Sequence, residues 1–391
     1  MSAAPVFLSA LGLVNALGRG KAAVARGLFL GDTGGLVLEE GWIPGAPARV
    51  GRVAGALPGP AALPRHARLL LAALEEIQDD VQAELARWGP DRVGVVLGTS
   101  TAGVAEMEAA IVHLGGHGAL PEGFRYDDVE MGAPARFLAR WLGITGPAYT
   151  VSTACTSSGK ALVSARNLLR LGLCDAVITG GVDVLCRLTL NGFSSLGAST
   201  RTLTNPMSVN RCGINIGEGA ALFLLKRGPA AVALLGAGES SDAYHISSPE
   251  PDGRGAEIAM RLALADAGLD GREPGYLNLH GTATDKNDEM ESRAVARVFP
   301  QGIPCSGTKP LTGHLLGAAA ATELAFCWLA LHPDWNPDGL LPPHRWDGAA
   351  DPALPALNLV PAGARDPELR ICLSNAFAFG GSNLTLVAGR P

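Results

Sequence analysis

Two rhythms of apolar residues alternate along this 391-residue chain. Short apolar runs bounded by glycine read as buried strands, and longer runs with apolar residues three and four apart read as helices. Val6 to Leu13 predicts a first strand. The Gly- and Pro-rich stretch from Trp42 to Pro64 predicts loop, with a short strand at Ala48 to Val53. Arg65 to Trp88 carries Leu69, Leu70, Ala73, Leu74, Ile77, Val81 and Leu85 at helical spacing and predicts one long amphipathic helix. A buried strand at Asp91 to Gly98 follows, then helices at Thr101 to Leu114 and Glu130 to Leu142. Ala148 to Val151, Cys174 to Gly181 and Gly217 to Lys226 supply further strands, with a helix over Ala161 to Arg170.

The second half repeats this order. Ala231 to Gly238 predicts a strand and Gly255 to Ala267 a helix. Gly275 to Ala283 echoes Val93 to Ser100 as strand followed by Gly-Thr. Pro304 to Gly317, running into an apolar helix to Leu331, echoes the strand-turn-helix around residue 155, and Gly380 to Val387 echoes Gly217 to Lys226. The pattern predicts two similar α/β halves, residues 1–230 and 231–391, related by a pseudo-two-fold axis, with a site where their loop-to-helix turns face each other.

Composition narrows the class. A chain 47% hydrophobic can bury a large core, and its Gly 51 and Pro 27 are dispersed rather than clustered. A formal charge of −6 disfavours nucleic acid and anionic membrane as partners through overall charge. The cysteines, at 155, 174, 186, 212, 305, 327 and 372, are odd in number and lack a C-x-x-C pair, which argues for a reducing compartment and against a disulfide framework or zinc site. The apolar start has no basic residues ahead of it and predicts a strand rather than a signal peptide. The apolar helix Leu315 to Leu331 carries Glu323 and falls short of a bilayer span, so a soluble, cytoplasmic protein is expected.

Val151-Ser-Thr-Ala-Cys-Thr-Ser-Ser-Gly-Lys160 surrounds one cysteine with small polar residues between strand and helix. That turn predicts Cys155 at the first turn of the helix, where orphan N–H groups and the dipole favour a thiolate nucleophile. His280 is expected at a strand end and His314 at a helix start, each flanked by small residues that leave room for a ligand. Glu323, inside an apolar run, needs a buried partner, and Lys309, one of five lysines, is the candidate.

Together with Ser374-Asn-Ala-Phe-Ala-Phe-Gly-Gly-Ser-Asn383, these segments resemble the elongating β-ketoacyl-acyl carrier protein synthases, Cys-His-His condensing enzymes of the thiolase fold. The resemblance covers nearly the whole chain and implies a five-layered αβαβα core of two duplicated halves. It implies decarboxylative condensation: Cys155 accepts the acyl group, His280 and His314 act on malonyl-thioester, and Lys309 with Glu323 orders the histidines. Phe379 would gate the two half-reactions beside Phe377, its N–H and that of Cys155 forming an oxyanion hole. Thr282 and Thr284 would hold the phosphopantetheine arm. Arg65, Arg68 and Arg201 would dock an acidic acyl carrier protein. No metal and no bound cofactor are implied, and the assembly would be a homodimer or a heterodimer with a related subunit.

The chain also departs from that family. Thr284-Asp-Lys-Asn-Asp288 stands where proline commonly follows the second threonine, Ala378 stands where glycine is common, and Asn205-Pro-Met-Ser-Val-Asn-Arg211 replaces an Arg-Pro-Phe-Asp-like segment. Three readings stay open: an elongating synthase, a specialised aryl-polyene or polyketide ketosynthase, and a non-catalytic chain-length subunit.

Overall fold

Glycine-bounded apolar runs become strands along the whole chain, and in the computed structural model, which describes residues 5–391, they do so twice in the same order. The first five major strands are β1 (Val6–Asn15), β2 (Val93–Gly98), β3 (Ala148–Val151), β4 (Ala176–Asp183) and β5 (Gly219–Lys226). The second five are β6 (Ala233–Ser241), β7 (Tyr276–Leu279), β8 (Pro304–Gly307), β9 (Ile371–Ala378) and β10 (Ser382–Gly389). Their spatial order is β3-β2-β4-β5-β1 in one half and β8-β7-β9-β10-β6 in the other. Directions match too: the three strands farthest from the junction are parallel and the remaining two antiparallel in each half. The halves join through β1 and β6, antiparallel at Val6↔Leu234 and Phe7↔Ala233.

Five layers result. Helix Ser157–Arg170 of one half and Ala319–Leu331 of the other lie between the sheets, in a core where Leu162, Ala165, Leu324 and Phe326 are fully buried. Ala319–Leu331 is buried at every position, which explains why it is apolar all round. Helices Arg65–Leu74 and Ala133–Leu142 cover the outer face of the first sheet, and Arg254–Ala267 with Asp285–Val298 cover that of the second. Close approach is required where the central helices meet strands: a Cβ on Gly98 would lie 2.2 Å from the backbone nitrogen of Ser158.

One expected element differs. Arg65 to Trp88 forms two helices, Arg65–Leu74 and Gln78–Trp88, with Ile77 between them at φ −125°. The break places Glu76 so that its carboxylate accepts from Lys21 N at 2.9 and 3.0 Å, satisfying the N-terminus of helix Lys21–Leu30. No helix among the described residues is long and apolar enough to cross a membrane.

Candidate active site

Cys155 sits on a tight turn between β3 and helix Ser157–Arg170. The preceding Ala154 has φ 53°, a left-handed conformation that costs a non-glycine residue of order 1 kcal/mol. Ser157 holds it there: its Oγ donates to Ala154 O at 2.5 Å and accepts from Thr153 N at 2.8 Å. The turn thus presents Sγ just ahead of the helix, not within its first turn as expected.

The second half brings two imidazoles to that sulfur. His314 Nε2 is 3.1 Å from Cys155 Sγ, and the sulfur and the ring nitrogens of His280 and His314 supply atoms all within 4.8 Å of one another. The two rings meet edge to face at 5.3 Å. All three residues are buried.

Backbone from the first half fixes His314. Its N–H donates to Asn215 O at 2.7 Å and its carbonyl accepts from Gly217 N at 2.9 Å, a parallel bridge centred on Ile216. Gly217 is needed for this approach, since a Cβ there would lie 2.1 Å from Thr312 O. Just beyond, Ala318 N donates to Asp183 Oδ2 at 3.0 Å, while Asp183 Oδ1 accepts from Thr99 Oγ1, Ser100 N and Thr101 N at 2.7 to 2.8 Å. One buried carboxylate therefore ties the end of β4 to the helix that follows His314.

His280 ends β7. Its N–H and that of Gly281 each donate to Glu291 at 2.8 Å, and Asn375 Nδ2 donates to the same carboxylate at 3.2 Å. Lys309 Nζ lies 2.6 Å from Glu323 Oε1 and 3.4 Å from His280 Nδ1, and it also donates to the His280 carbonyl. Lys309 and Glu323 thus pair as the apolar context of Glu323 required. An ammonium can only donate, so His280 Nδ1 accepts and the ring proton resides on Nε2.

Burial sets the protonation states. It pushes both imidazoles well below the usual histidine value, and the Lys309 charge lowers them further, so both are neutral. It pushes Cys155 up to about 12, outweighing the Lys309 charge and the nearby Phe379 backbone. Here the expected thiolate is corrected: a helix dipole is worth at most ~2 kcal/mol, less than the cost of desolvating a sulfur anion. Burial also pushes Glu291 and Glu323 up to about 7. The cysteine and two histidines have the donor types of a metal site, but the Lys309 ammonium behind His280 disfavours a dication there.

These groups open into a cavity of about 650 Å³ that Thr282, Thr284, Phe377 and Phe379 also line. Thr282 and Thr284 hydroxyls are 2.9 Å apart. Phe377 is buried against His280, ring centroids 6.0 Å apart. Phe379, 38% exposed, stands at the rim with its ring 5.4 Å from that of Phe193. Ala378 has no positive φ and ends β9 in extended backbone, so glycine is not required there.

The arginines divide. Arg65 Nε donates to the buried Glu218 at 2.6 Å, and Arg68 donates to Leu57 O at 2.7 Å. Both line a separate depression beside Phe124 rather than the Cys155 cavity. Arg201 is exposed. Reasoning from sequence missed Glu291, Asp183, Asn215 and Phe193. The Asp that ends the apolar run Ala176 to Asp183 was the one available signal.

Comparison with known proteins follows the same lines. Residues 60–231 match the family described as Beta-ketoacyl synthase, N-terminal domain, and residues 231–341 match Beta-ketoacyl synthase, C-terminal domain. Nodulation protein E of Rhizobium meliloti is 36% identical over 257 residues, 63% of this chain, and the match spans 62% of that protein's length. The 3-oxoacyl-[acyl-carrier-protein] synthase 2 of Staphylococcus aureus is 31% identical over 343 residues, 83% of each chain. A chain of the solved ketosynthase of Xenorhabdus doucetiae, in complex with its chain length factor, is 44% identical with a TM-score of 0.94, covering 99% of this chain and 98% of that one.

Proposed function

The chain belongs to the β-ketoacyl synthase family, and from that premise we propose that it is a condensing enzyme joining an acyl group on Cys155 to malonyl-thioester with loss of carbon dioxide. The observation that carries this is one sulfur and two neutral imidazoles within 4.8 Å, drawn from opposite halves of the chain.

In the first half-reaction Sγ attacks the acyl thioester. A carbon–sulfur bond forms to Cys155, the carrier's carbon–sulfur bond breaks, and the thiol proton ends on the departing carrier sulfur. His314 Nε2–H, 3.1 Å from Sγ, steadies the sulfur as that proton leaves it for the carrier sulfur. The Phe379 backbone, whose proximity favours the Cys155 anion, would hold the oxyanion through its N–H, a role typically worth ~100- to 1000-fold in rate.

In the second, malonyl-thioester loses carbon dioxide and its charge collects on the thioester oxygen. Nε2–H of His280, held as donor by Lys309 behind it, stabilises that enolate together with His314. The enolate carbon attacks the acyl carbonyl, Cys155 departs as thiolate, and uptake of one proton restores the thiol. Neither metal nor bound cofactor enters this sequence, and the substrates arrive on the phosphopantetheine of an acyl carrier protein. Thr282 and Thr284 line the approach to hold that arm.

The likeness to the Xenorhabdus doucetiae structure, 44% identical across 99% of the chain, favours the specialised reading over housekeeping elongation. We propose a heterodimer with a related chain length factor as the working assembly. A non-catalytic subunit would need no nucleophile, whereas Cys155 and both histidines are assembled here. The seven free cysteines suit a reducing cytoplasm.

Mass spectrometry after incubation with a panel of acyl carrier thioesters tests the proposal. An acyl adduct on the Cys155 peptide is expected, absent in Cys155→Ala. Condensation at the wild-type rate by that variant overturns the assignment.

A further inference from the structure

Exposure rises steadily along one wall of the catalytic cavity, from buried His280 through Thr282 and half-buried Thr284 to exposed Lys286. This run leads from the reacting sulfur to solvent. Any substrate held along it places its outer end beside Lys286.

Other charged groups in that wall already have protein partners. Arg211 pairs with Asp351 at 2.5 Å and with Asp285 at 3.6 Å. Asp242 accepts from Asn383 Nδ2 at 2.7 Å and from Glu250 N at 3.1 Å. Lys286 differs. Its Nζ has Ser248 Oγ at 3.1 Å and, among the described residues, no carboxylate within 4.0 Å. Ser248, which also lines the cavity, holds the ammonium at the rim with two donors left for a ligand. The wall thus ends in an ammonium with no carboxylate in contact, one of the five lysines of the chain.

We propose that Lys286, positioned by Ser248, binds the phosphate of the phosphopantetheine arm and makes the site discriminate phosphorylated from unphosphorylated thioesters. This rests on the condensing-enzyme reading and extends it to a residue that touches the substrate far from the reacting carbon. The arm carries its thioester at one end, amides along its length and a phosphodiester at the other. Cys155, the two threonines and Lys286 match those groups in order.

The test compares malonyl-phosphopantetheine with malonyl-pantetheine, which differ only in the terminal phosphate, as extender substrates for the acylated full chain in the assembly in which it purifies. Wild type is expected to favour the phosphorylated thioester about tenfold in kcat/KM, the scale of one charge-assisted hydrogen bond at an exposed site, with the preference shrinking as salt rises. Lys286→Met should bring that ratio to about one, and Lys286→Arg should restore most of it. A ratio that persists in Lys286→Met, or an equal loss on both thioesters, overturns the proposal. Wild type that turns over neither thioester refutes the condensing-enzyme reading instead. Equilibrium binding of phosphopantetheine against pantetheine to the same three proteins then still decides the role of Lys286: lost discrimination in Lys286→Met supports it, and unchanged discrimination overturns it.

Discussion

Lys309 Nζ and Glu323 Oε1 are 2.6 Å apart in the interior, side chains 2% and 5% exposed, and the same ammonium faces His280. A buried pair of this kind is costly to break from one side, because the survivor keeps its desolvation penalty without its partner. Glu323→Leu should therefore lower unfolding free energy by about 3–5 kcal/mol, read from chemical denaturation. Lys309→Met should also release the His280 tautomer and slow malonyl decarboxylation more than acyl transfer to Cys155. Equal slowing of both steps would reduce Lys309 to a structural role.

The neutral imidazoles make a pH prediction. Burial disfavours the cation, so both pKa values lie below 6.5 and the rings stay neutral as pH falls through that value. Any pH dependence of decarboxylation between 7.5 and 6 should then come from Glu291 and Glu323, both pushed up to about 7, and not from the imidazoles. Nitrogen NMR of labelled histidine should show two rings that keep their neutral signature throughout. An acid limb near 6.5 that vanishes in His314→Ala would point to an imidazolium instead.

Cys155 should behave as a thiol. With its pKa pushed up to about 12, thiolate is scarce at neutral pH, and alkylation by iodoacetamide should accelerate about tenfold per pH unit between 7 and 9. A rate already saturated at pH 7 would mean that the helix dipole and Lys309 prevail over burial after all.

Glu291 holds two consecutive backbone N–H groups at the end of β7, including that of His280. Glu291→Ala leaves both unpaired in the interior and should cost about 2–5 kcal/mol of stability. Glu291→Gln, which keeps one acceptor, should cost less. Refolding yields and denaturation midpoints would order the three proteins.

Arg65 and Arg201 should separate in solution. Arg65→Ala strands the buried Glu218 carboxylate and should destabilise by about 3–5 kcal/mol. Arg201→Ala should leave the melting temperature in place and raise KM for carrier-bound substrate at low salt. A normal melting temperature in Arg65→Ala would return that residue to the docking surface.

What could be read in advance follows from how local each signal is. The turn around Cys155, the repeat of strand and helix, and the need of Glu323 for a cation are all properties of short segments, and each was legible. Glu291 was not, because Asp285 to Val298 carries seven charged residues among its 14 and nothing in the segment marks which acid turns inward. The break between Leu74 and Gln78 carries neither glycine nor proline, and the contact it permits, Glu76 with Lys21, spans 55 residues. Arg65 looked free because Glu218 is 153 residues distant. The thiol state of Cys155 depends on how much protein surrounds it, which no local pattern encodes.

The bridge that clamps His314 between Asn215 and Gly217 bears on what parts of the protein are free to travel during turnover. Any rocking of one half against the other would drag an imidazole off the sulfur, so the interior must stay locked while substrates come and go. Adjustment falls to the perimeter, where two successive glycines of positive φ, Gly380 and Gly381, follow the aromatic ring that overlooks the cavity. Positive φ at both positions disfavours any residue with a Cβ, so replacing either glycine is expected to disturb substrate exchange at the rim before it disturbs the clamped interior.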